Sequence, residues 1–225
     1  MSIFELIMKG GILMIPIAIC SVYALGIIVE RLLHYRRART DIKVLTEKLE
    51  ALIIGNKIGE ARLLCEETKG FIADLIKLAL DGLPETVDLN QPVEDELKVA
   101  RRIIDEELQI SVIPDLEKHL NALDTLARGT PLLGLLGTII GMIRVFFTLG
   151  VSQSGANPEL LAKGIGVALV TTAAGLIVAI PSFFMHRYFS GQLDRLLEEA
   201  ERTKVWLLGH LAKRRLISMV GNHDR

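Results

Sequence analysis

Three stretches of this sequence are apolar for long enough to cross a lipid bilayer: residues 10–29, 129–151 and 164–185. A spanning helix needs about 20 predominantly apolar residues, because each residue adds about 1.5 Å along the helix axis. The first and third stretches hold no charged residue, and the second holds only Arg144. Arg144 follows Gly129 by about 22 Å of helix, so its side chain can extend to the far interface. The chain is therefore predicted to be an all-α integral membrane protein with three transmembrane helices, surrounded by membrane lipid.

The charged residues beside these stretches predict the orientation of the chain. The arginines that follow the first stretch are Arg31, Arg36, Arg37 and Arg39. Basic residues also follow the third stretch, whereas residues 152–163 carry one lysine and one glutamate. Cytoplasmic flanks of membrane helices carry an excess of Lys and Arg. The sequence therefore predicts a multi-pass bacterial inner-membrane protein with a periplasmic N-terminus and a cytoplasmic C-terminus.

This orientation divides the chain into seven segments. In order, they are a short periplasmic N-terminus (1–9), transmembrane helix 1 (10–29), a cytoplasmic helical region (30–128), transmembrane helix 2 (129–151), a periplasmic loop (152–163), transmembrane helix 3 (164–185) and a cytoplasmic C-terminal helix and tail (186–225). Helix breaks are predicted at Gly55–Asn56, near Gly70 and over 81–92, and a bend at Pro114. Two of the membrane helices have no strong breaker on their cytoplasmic side, so they are predicted to extend far into the cytoplasm.

The composition and the motifs argue against several classes of function. A net charge of −1 lacks the basic surface that nucleic-acid binding requires. Neither Cys20 nor Cys65 has a metal ligand at useful spacing, and no nucleophile–base pair stands out among the five histidines. A GxxxxGK[ST] phosphate-binding loop is also missing from the sequence. We therefore predict no catalytic residue, metal site, cofactor or enzymatic activity, and no nucleic-acid partner.

Small residues recur along one face of the second and third membrane helices. In the second helix, Gly134, Thr138 and Gly141 are four and three residues apart and share a face, and Gly137 and Gly141 form a GxxxG pair. The stripe of the third helix consists of Gly164, Ala168, Thr172, Gly175 and Ala179. Small residues let membrane helices approach closely. We therefore interpret the glycines and alanines as packing residues that can also line a pore.

The threonines in these stripes have two possible roles. A Thr hydroxyl inside a span often bonds the carbonyl one turn back, which is a purely structural role. It can also orient water or bind a carboxylate along an ion path. Because no Asp or Glu lies inside any span, the spans lack the titratable group that a proton path normally needs. If this protein conducts protons, the carboxylate must come from another chain.

Two segments of the sequence resemble a known family. The segment PLLGLLGTIIGMI, followed by GIGVALVTTAAGLIVAIP, is similar to the MotA/TolQ/ExbB family of ion-driven motor proteins. The three spans and the length of 225 residues resemble the TolQ/ExbB branch, since the MotA branch has four spans. The resemblance is strongest from about residue 127 to residue 189 and extends more loosely to the exit of the first span.

The resemblance implies a function and a set of partners. Members of the family form ring-shaped homo-oligomers, typically pentamers, around single-span subunits of the ExbD/TolR type, whose span supplies an Asp. Proton flow through that Asp drives a movement that is passed to an envelope protein such as TonB or TolA. The resemblance implies that Thr138 and Thr172 face the pore. Pro131 matches the proline that opens the second-span motif.

One position departs from the pattern of the family. Many relatives have a Glu in the third span where this sequence has Val167. Thr171, beside Thr172, is a candidate for compensating polarity in the pore. The choice between proton and sodium, and the envelope process that is powered, stay open. The alternative hypothesis is a membrane scaffold that assembles through its small-residue stripes and conducts nothing.

Overall fold

The computed structural model describes residues 12–37, 42–68, 70–84, 92–151 and 158–223. Within these ranges every regular element is a helix. The helices are α1 (Met14–Arg37), α2 (Ile42–Ile54), α3 (Ile58–Glu67), α4 (Phe71–Asp81), α5 (Val93–Glu107), α6 (Ile113–Val151) and α7 (Pro158–His223), with a π-helical turn (Leu108–Val112) between α5 and α6. The all-α fold predicted from the sequence is confirmed.

Three helices contain a segment that is long and apolar enough to span a membrane, in the part of the chain that the structure describes. These segments lie in α1, in the helix that runs through α5 and α6, and in α7. Large apolar side chains on them are exposed, including Phe147 and Ile177 at 74% and 70%. Soluble proteins rarely expose apolar surface on this scale, whereas lipid covers it without cost. The prediction of three membrane helices is confirmed.

The two long helices extend well beyond the apolar stretches. Helix α6 has 39 residues and α7 has 66. Helix α7 begins at Pro158, inside the loop predicted over 152–163. Proline fits the first position of a helix, and the negative charge of Glu159 in the first turn is stabilised by the positive end of the helix dipole. The predicted N-terminal segment 1–9 and residues 152–157 of that loop lie outside the described residues.

The chain divides into two compact units. Of the described residues, those within 1–32 and 118–190 form the membrane unit, and those within 33–117 and 191–225 form the bundle unit. In the membrane unit, α1 packs against the other two membrane helices. The apolar cluster that joins them consists of Ile17 and Ala24 of α1, Leu126 of α6 and Val178 of α7.

The bundle unit has an apolar core contributed by α2 to α5 and by the C-terminal part of α7. Fully or almost fully buried members include Leu49, Ile53, Ile58, Ile76, Ile104, Leu207 and Leu211. The breaks between its helices fall where the sequence predicts them. Asn56 and Gly70 have φ angles of 59° and 147°, a region that glycine enters freely and that asparagine tolerates better than most residues. Residues 85–91 of the loop predicted over 81–92 are not among the described residues.

The sequence predicts a bend at Pro114, and the structure has a π-helical turn at Leu108–Val112, shortly before this proline. In this turn the N–H of Ile113 bonds the carbonyl of Leu108, five residues back. Proline has no N–H and clashes with the carbonyl four residues before it, here Ile110. The wider turn accommodates this mismatch, so α5 and α6 continue as one helical path.

Cys65 of the bundle unit provides a first test of this core. The residue is fully buried, and burial, followed by the nearby charges of Asp74 and Asp81, raises the pKa of its thiol to about 12. Because the thiolate is the reactive form, we expect the folded Cys20→Ser protein to resist maleimide at roughly pH 8 and to react after unfolding in guanidinium. Mass spectrometry reads the label, and rapid labelling of the folded protein would contradict the buried position.

Candidate functional site

Helices α6 and α7 contact each other along a line of small residues in the membrane unit. The contacting pairs are Val145 with Gly164, Gly141 with Ala168, Gly137 with Thr171, Gly134 with Thr172 and Thr130 with Gly175. Residue numbers fall along α6 as they rise along α7, so the two helices are antiparallel. We call the residues of these pairs the small-residue seam.

The seam has no room for a side chain at several of its glycines. A Cβ atom on Gly134 would lie 3.0 Å from the Cα of Thr172, and one on Gly175 would lie 2.6 Å from the carbonyl oxygen of Thr130. Both neighbours are backbone atoms, which cannot rotate away. Backbone-to-backbone contact of this kind is what small residues permit between membrane helices.

The three candidate threonines each donate their hydroxyl hydrogen to a backbone carbonyl. Thr172 Oγ1 lies 3.1 Å from the carbonyl oxygen of Gly134, so its hydrogen bond joins α7 to α6. Thr138 Oγ1 donates to Leu135 at 2.7 Å, within its own helix. Thr171 Oγ1 likewise donates to Val167 of its own helix, at 3.3 Å.

The three threonines differ in exposure. Thr171 is 1% exposed and packs against Gly137, so it lies inside the chain. Thr138 and Thr172 are half-buried, so each keeps part of its surface accessible to another chain. The structure therefore separates Thr171 from the other two candidate pore residues.

The remaining candidate residues lie in or beside the seam. Ala168 and Ala179 are buried, and Pro131 is half-buried inside α6. Each long membrane helix has a hydroxyl residue next to its proline in sequence: Thr130 precedes Pro131 in α6, and Ser182 follows Pro181 in α7. These hydroxyls donate to the carbonyls of Leu126 and Val178, at 2.7 and 2.8 Å. Neither Thr130 nor Ser182 was among the predicted site residues, although proximity to a proline within a span was an available signal.

The seam has no ionisable group of its own. The charged residues closest to it along the two helices are Arg128 and Arg144 on α6 and Lys163 and Arg187 on α7. Among the residues with described positions, no group of His, Cys, Asp or Glu could hold a metal ion. The seam residues themselves therefore present hydroxyl and carbonyl oxygens, and the nearest cationic side chains, Arg144 and Lys163, adjoin one end of the seam.

A polar cluster near the end of the first span was not predicted. Arg31 is 3% exposed and donates a hydrogen bond to Nδ1 of His119 on α6. His119 Nε2 lies 3.8 Å from an Oε1 of Glu30. From the sequence, Arg31 was interpreted only as a flanking charge. The available signal was its spacing, because Ile17, Ala24 and Arg31 are seven residues apart and share one helix face.

Comparison with known proteins identifies the family to which this architecture belongs. The model described as the MotA/TolQ/ExbB proton channel family matches residues 72–202, more than half of the chain. This chain belongs to the MotA/TolQ/ExbB proton channel family. Membership in this family agrees with the three membrane helices, and the match includes the whole small-residue seam.

The similar proteins support the ExbB/TolQ branch of this family. A protein of Methanothermobacter thermautotrophicus named as an ExbB homolog in biopolymer transport is 28% identical over 223 residues, which cover 99% of this chain and 75% of that protein. An ExbB-like biopolymer transport protein of Synechocystis sp. is 32% identical over 187 residues, 80% of this chain and 67% of its own length. The biopolymer transport protein exbB1 of Vibrio cholerae is 40% identical over 84 residues, 36% of this chain and 37% of that protein. The family and branch predicted from the motifs are confirmed.

Proposed function

We propose that this chain is the ring subunit of a motor driven by the proton-motive force in the bacterial inner membrane. The ring is a pentamer that surrounds an ExbD/TolR-like single-span subunit, whose Asp carries the proton. The work is passed to a TonB/TolA-like envelope protein, which fits the biopolymer transport named for the relatives. In this proposal the N-terminus is periplasmic and the C-terminus is cytoplasmic, since basic residues follow the first and third spans.

The observation that carries this proposal is the hydroxyl-bearing seam without an acid. Thr172 reaches the Gly134 carbonyl and remains half-buried, so a partner helix can contact its oxygen. We assign the pore role to Thr138 and Thr172. Thr171 packs against Gly137 inside the chain, so in this proposal it holds the two helices together and does not replace the polarity lost at Val167.

The scaffold alternative depends on the small-residue stripes being free to join neighbouring copies. Within this one chain, the stripes of α6 and α7 contact each other through Gly134, Gly137, Gly141 and Gly175. The residues that the alternative needs at an interface between copies are therefore already engaged. This contact favours the motor over the scaffold.

The test is to purify the tagged chain from its native membrane in mild detergent and weigh the intact complex. We expect five copies of this chain together with a single-span protein that has an acidic residue in its span. Fragmentation of the same complex identifies that companion by mass. A homo-oligomer that never retains a companion would refute the motor and support the scaffold.

A further inference from the structure

We propose that His210 forms a pH-sensitive latch between α7 and α2 of the bundle unit, which is closed while its imidazole ring is protonated. The latch consists of His210 and Trp206 on α7 and Glu50 on α2. These residues lie outside the small-residue seam, and all three belong to one unit of the fold. The assignment of the latch to cytoplasmic pH rests on the proposed function, through the orientation of the chain given there.

Both nitrogen atoms of the His210 ring face an oxygen that accepts hydrogen bonds. Nδ1 lies 2.8 Å from the carbonyl oxygen of Trp206, one turn back on α7. Nε2 lies 3.2 Å from Oε1 of Glu50 on α2. A carbonyl oxygen and a carboxylate only accept, so each ring nitrogen needs a hydrogen to donate. A neutral imidazole has one N–H and an imidazolium has two, so only the protonated ring satisfies both contacts.

The indole ring of Trp206 adds a third contact that favours the positive charge. The centres of the two rings are 4.5 Å apart, and their planes are tilted by 35°. A cation within about 6 Å of an indole ring is attracted by the negative face of that ring. The His210 side chain is only 18% exposed, so water screens these contacts less than it would at the surface. The carbonyl, the carboxylate and the indole therefore all favour the imidazolium form.

The charges on neighbouring turns do not remove this preference. Arg214, one turn further along α7, is directed to Asn56 and to Glu96 of α5. The carboxylate of Glu96 therefore offsets the repulsion that Arg214 exerts on a protonated His210. The other charged side chains one turn away on α2 and α7, or at the start of α3, are exposed to solvent, which screens them: Glu47, Lys213 and Lys57.

Loss of the ring proton opens the latch. The neutral ring can donate either to Trp206 or to Glu50, and the ion pair with Glu50 disappears in both cases. Imidazole ordinarily titrates between about pH 5 and about pH 8, whereas carboxyl groups ordinarily titrate near about pH 4. The contact of His210 with α2 is therefore complete at acidic pH and is lost as the pH rises through the imidazole range. In the proposed orientation, acidification of the cytoplasm tightens the bundle unit.

Trp206 provides a direct readout of the latch, because it is the one tryptophan in the chain. A protonated imidazole in contact with an indole ring quenches its fluorescence more strongly than a neutral one does. We expect the fluorescence of the full chain, purified in mild detergent without a histidine tag, to rise reversibly between about pH 5 and about pH 8. Over the same range, mass spectrometry should show hydrogen exchange in α2 becoming about three- to tenfold faster, after correction for intrinsic exchange, because a hydrogen bond to a charged group is lost.

Three variants test whether His210 is the source of these changes. His210→Gln should lose the pH dependence of both signals and show the faster exchange of α2 at every pH. His210→Arg keeps a positive charge, so the exchange of α2 should stay slow at every pH. His186→Gln is the matched control and should behave like the wild type, because His186 is also half-buried on α7 but belongs to the membrane unit.

Constant fluorescence and constant exchange of the wild type across this pH range would overturn the inference. A pH dependence that persists in His210→Gln would also overturn it, because another group would then be responsible. Faster exchange of α2 at acidic pH would contradict the direction of the latch. The proposed motor is tested separately through its companion subunit, so either proposal can fail without the other.

Discussion

Replacement of Glu96 by glutamine is expected to lower the free energy of unfolding of the bundle unit by about 3–5 kcal/mol. Glu96 contacts Arg214 and Arg215, each at 3.2 Å, and the three side chains are almost completely buried. Burial lowers the pKa of Arg214, Glu96 opposes this effect, and Arg215 adds to it. Glutamine keeps the shape of the side chain but removes the negative charge, so two adjacent buried guanidinium groups lose the carboxylate that they share.

Two further variants serve as comparisons for the loss of stability in Glu96→Gln. Glu198→Gln removes the carboxylate of an exposed pair with Arg202, so it should change stability by less than about 0.5 kcal/mol. Arg214→Met should lower the free energy of unfolding by less than Glu96→Gln does, because it leaves Glu96 paired with Arg215. Urea denaturation followed by circular dichroism measures all three. If Glu96→Gln behaves like the exposed control, the buried cluster does not stabilise the bundle unit.

Replacement of Gly175 by alanine is expected to push α6 and α7 apart and to lower the free energy of unfolding by about 1–3 kcal/mol. Some loss of assembled protein is expected as well. The added Cβ would lie 2.6 Å from the Thr130 carbonyl oxygen, so one of the two backbones must move. Gly129→Ala is the matched control, because a Cβ there meets no heavy atom within 4 Å. Thermal unfolding in detergent and size-exclusion chromatography compare the two variants. Equal behaviour of the two variants would show that the seam is not tightly packed in solution.

The features that could be predicted from the sequence are those that depend on local pattern. Apolar length located the three spans, and the helical period placed Gly134 and Gly141 on a common face. The breaks near Asn56 and Gly70 followed from residues that accept positive φ angles. Each of these inferences needs only residues within one or two helical turns of each other.

The features that could not be predicted depend on which distant residues meet. The hydrogen bond from Thr172 to Gly134 joins residues 38 positions apart, and its direction requires the register between two helices. The contact of Glu96 with Arg214 spans 118 positions. Nothing in the local pattern of either charge distinguishes a buried ion pair from a solvated one. Arg31 was likewise treated as a flanking charge, although it bonds His119 in the interior of the membrane unit.

The most direct measurement is proton flux into lipid vesicles that contain either the purified chain alone or the chain with its single-span companion. We predict that an imposed gradient drives flux only when the companion is present, and that replacing the companion's membrane carboxylic acid by its amide abolishes this flux. The spans of this chain carry no Asp or Glu, so in the proposed motor the titrating group is on the companion polypeptide. Full flux through vesicles that contain this chain alone would contradict the account.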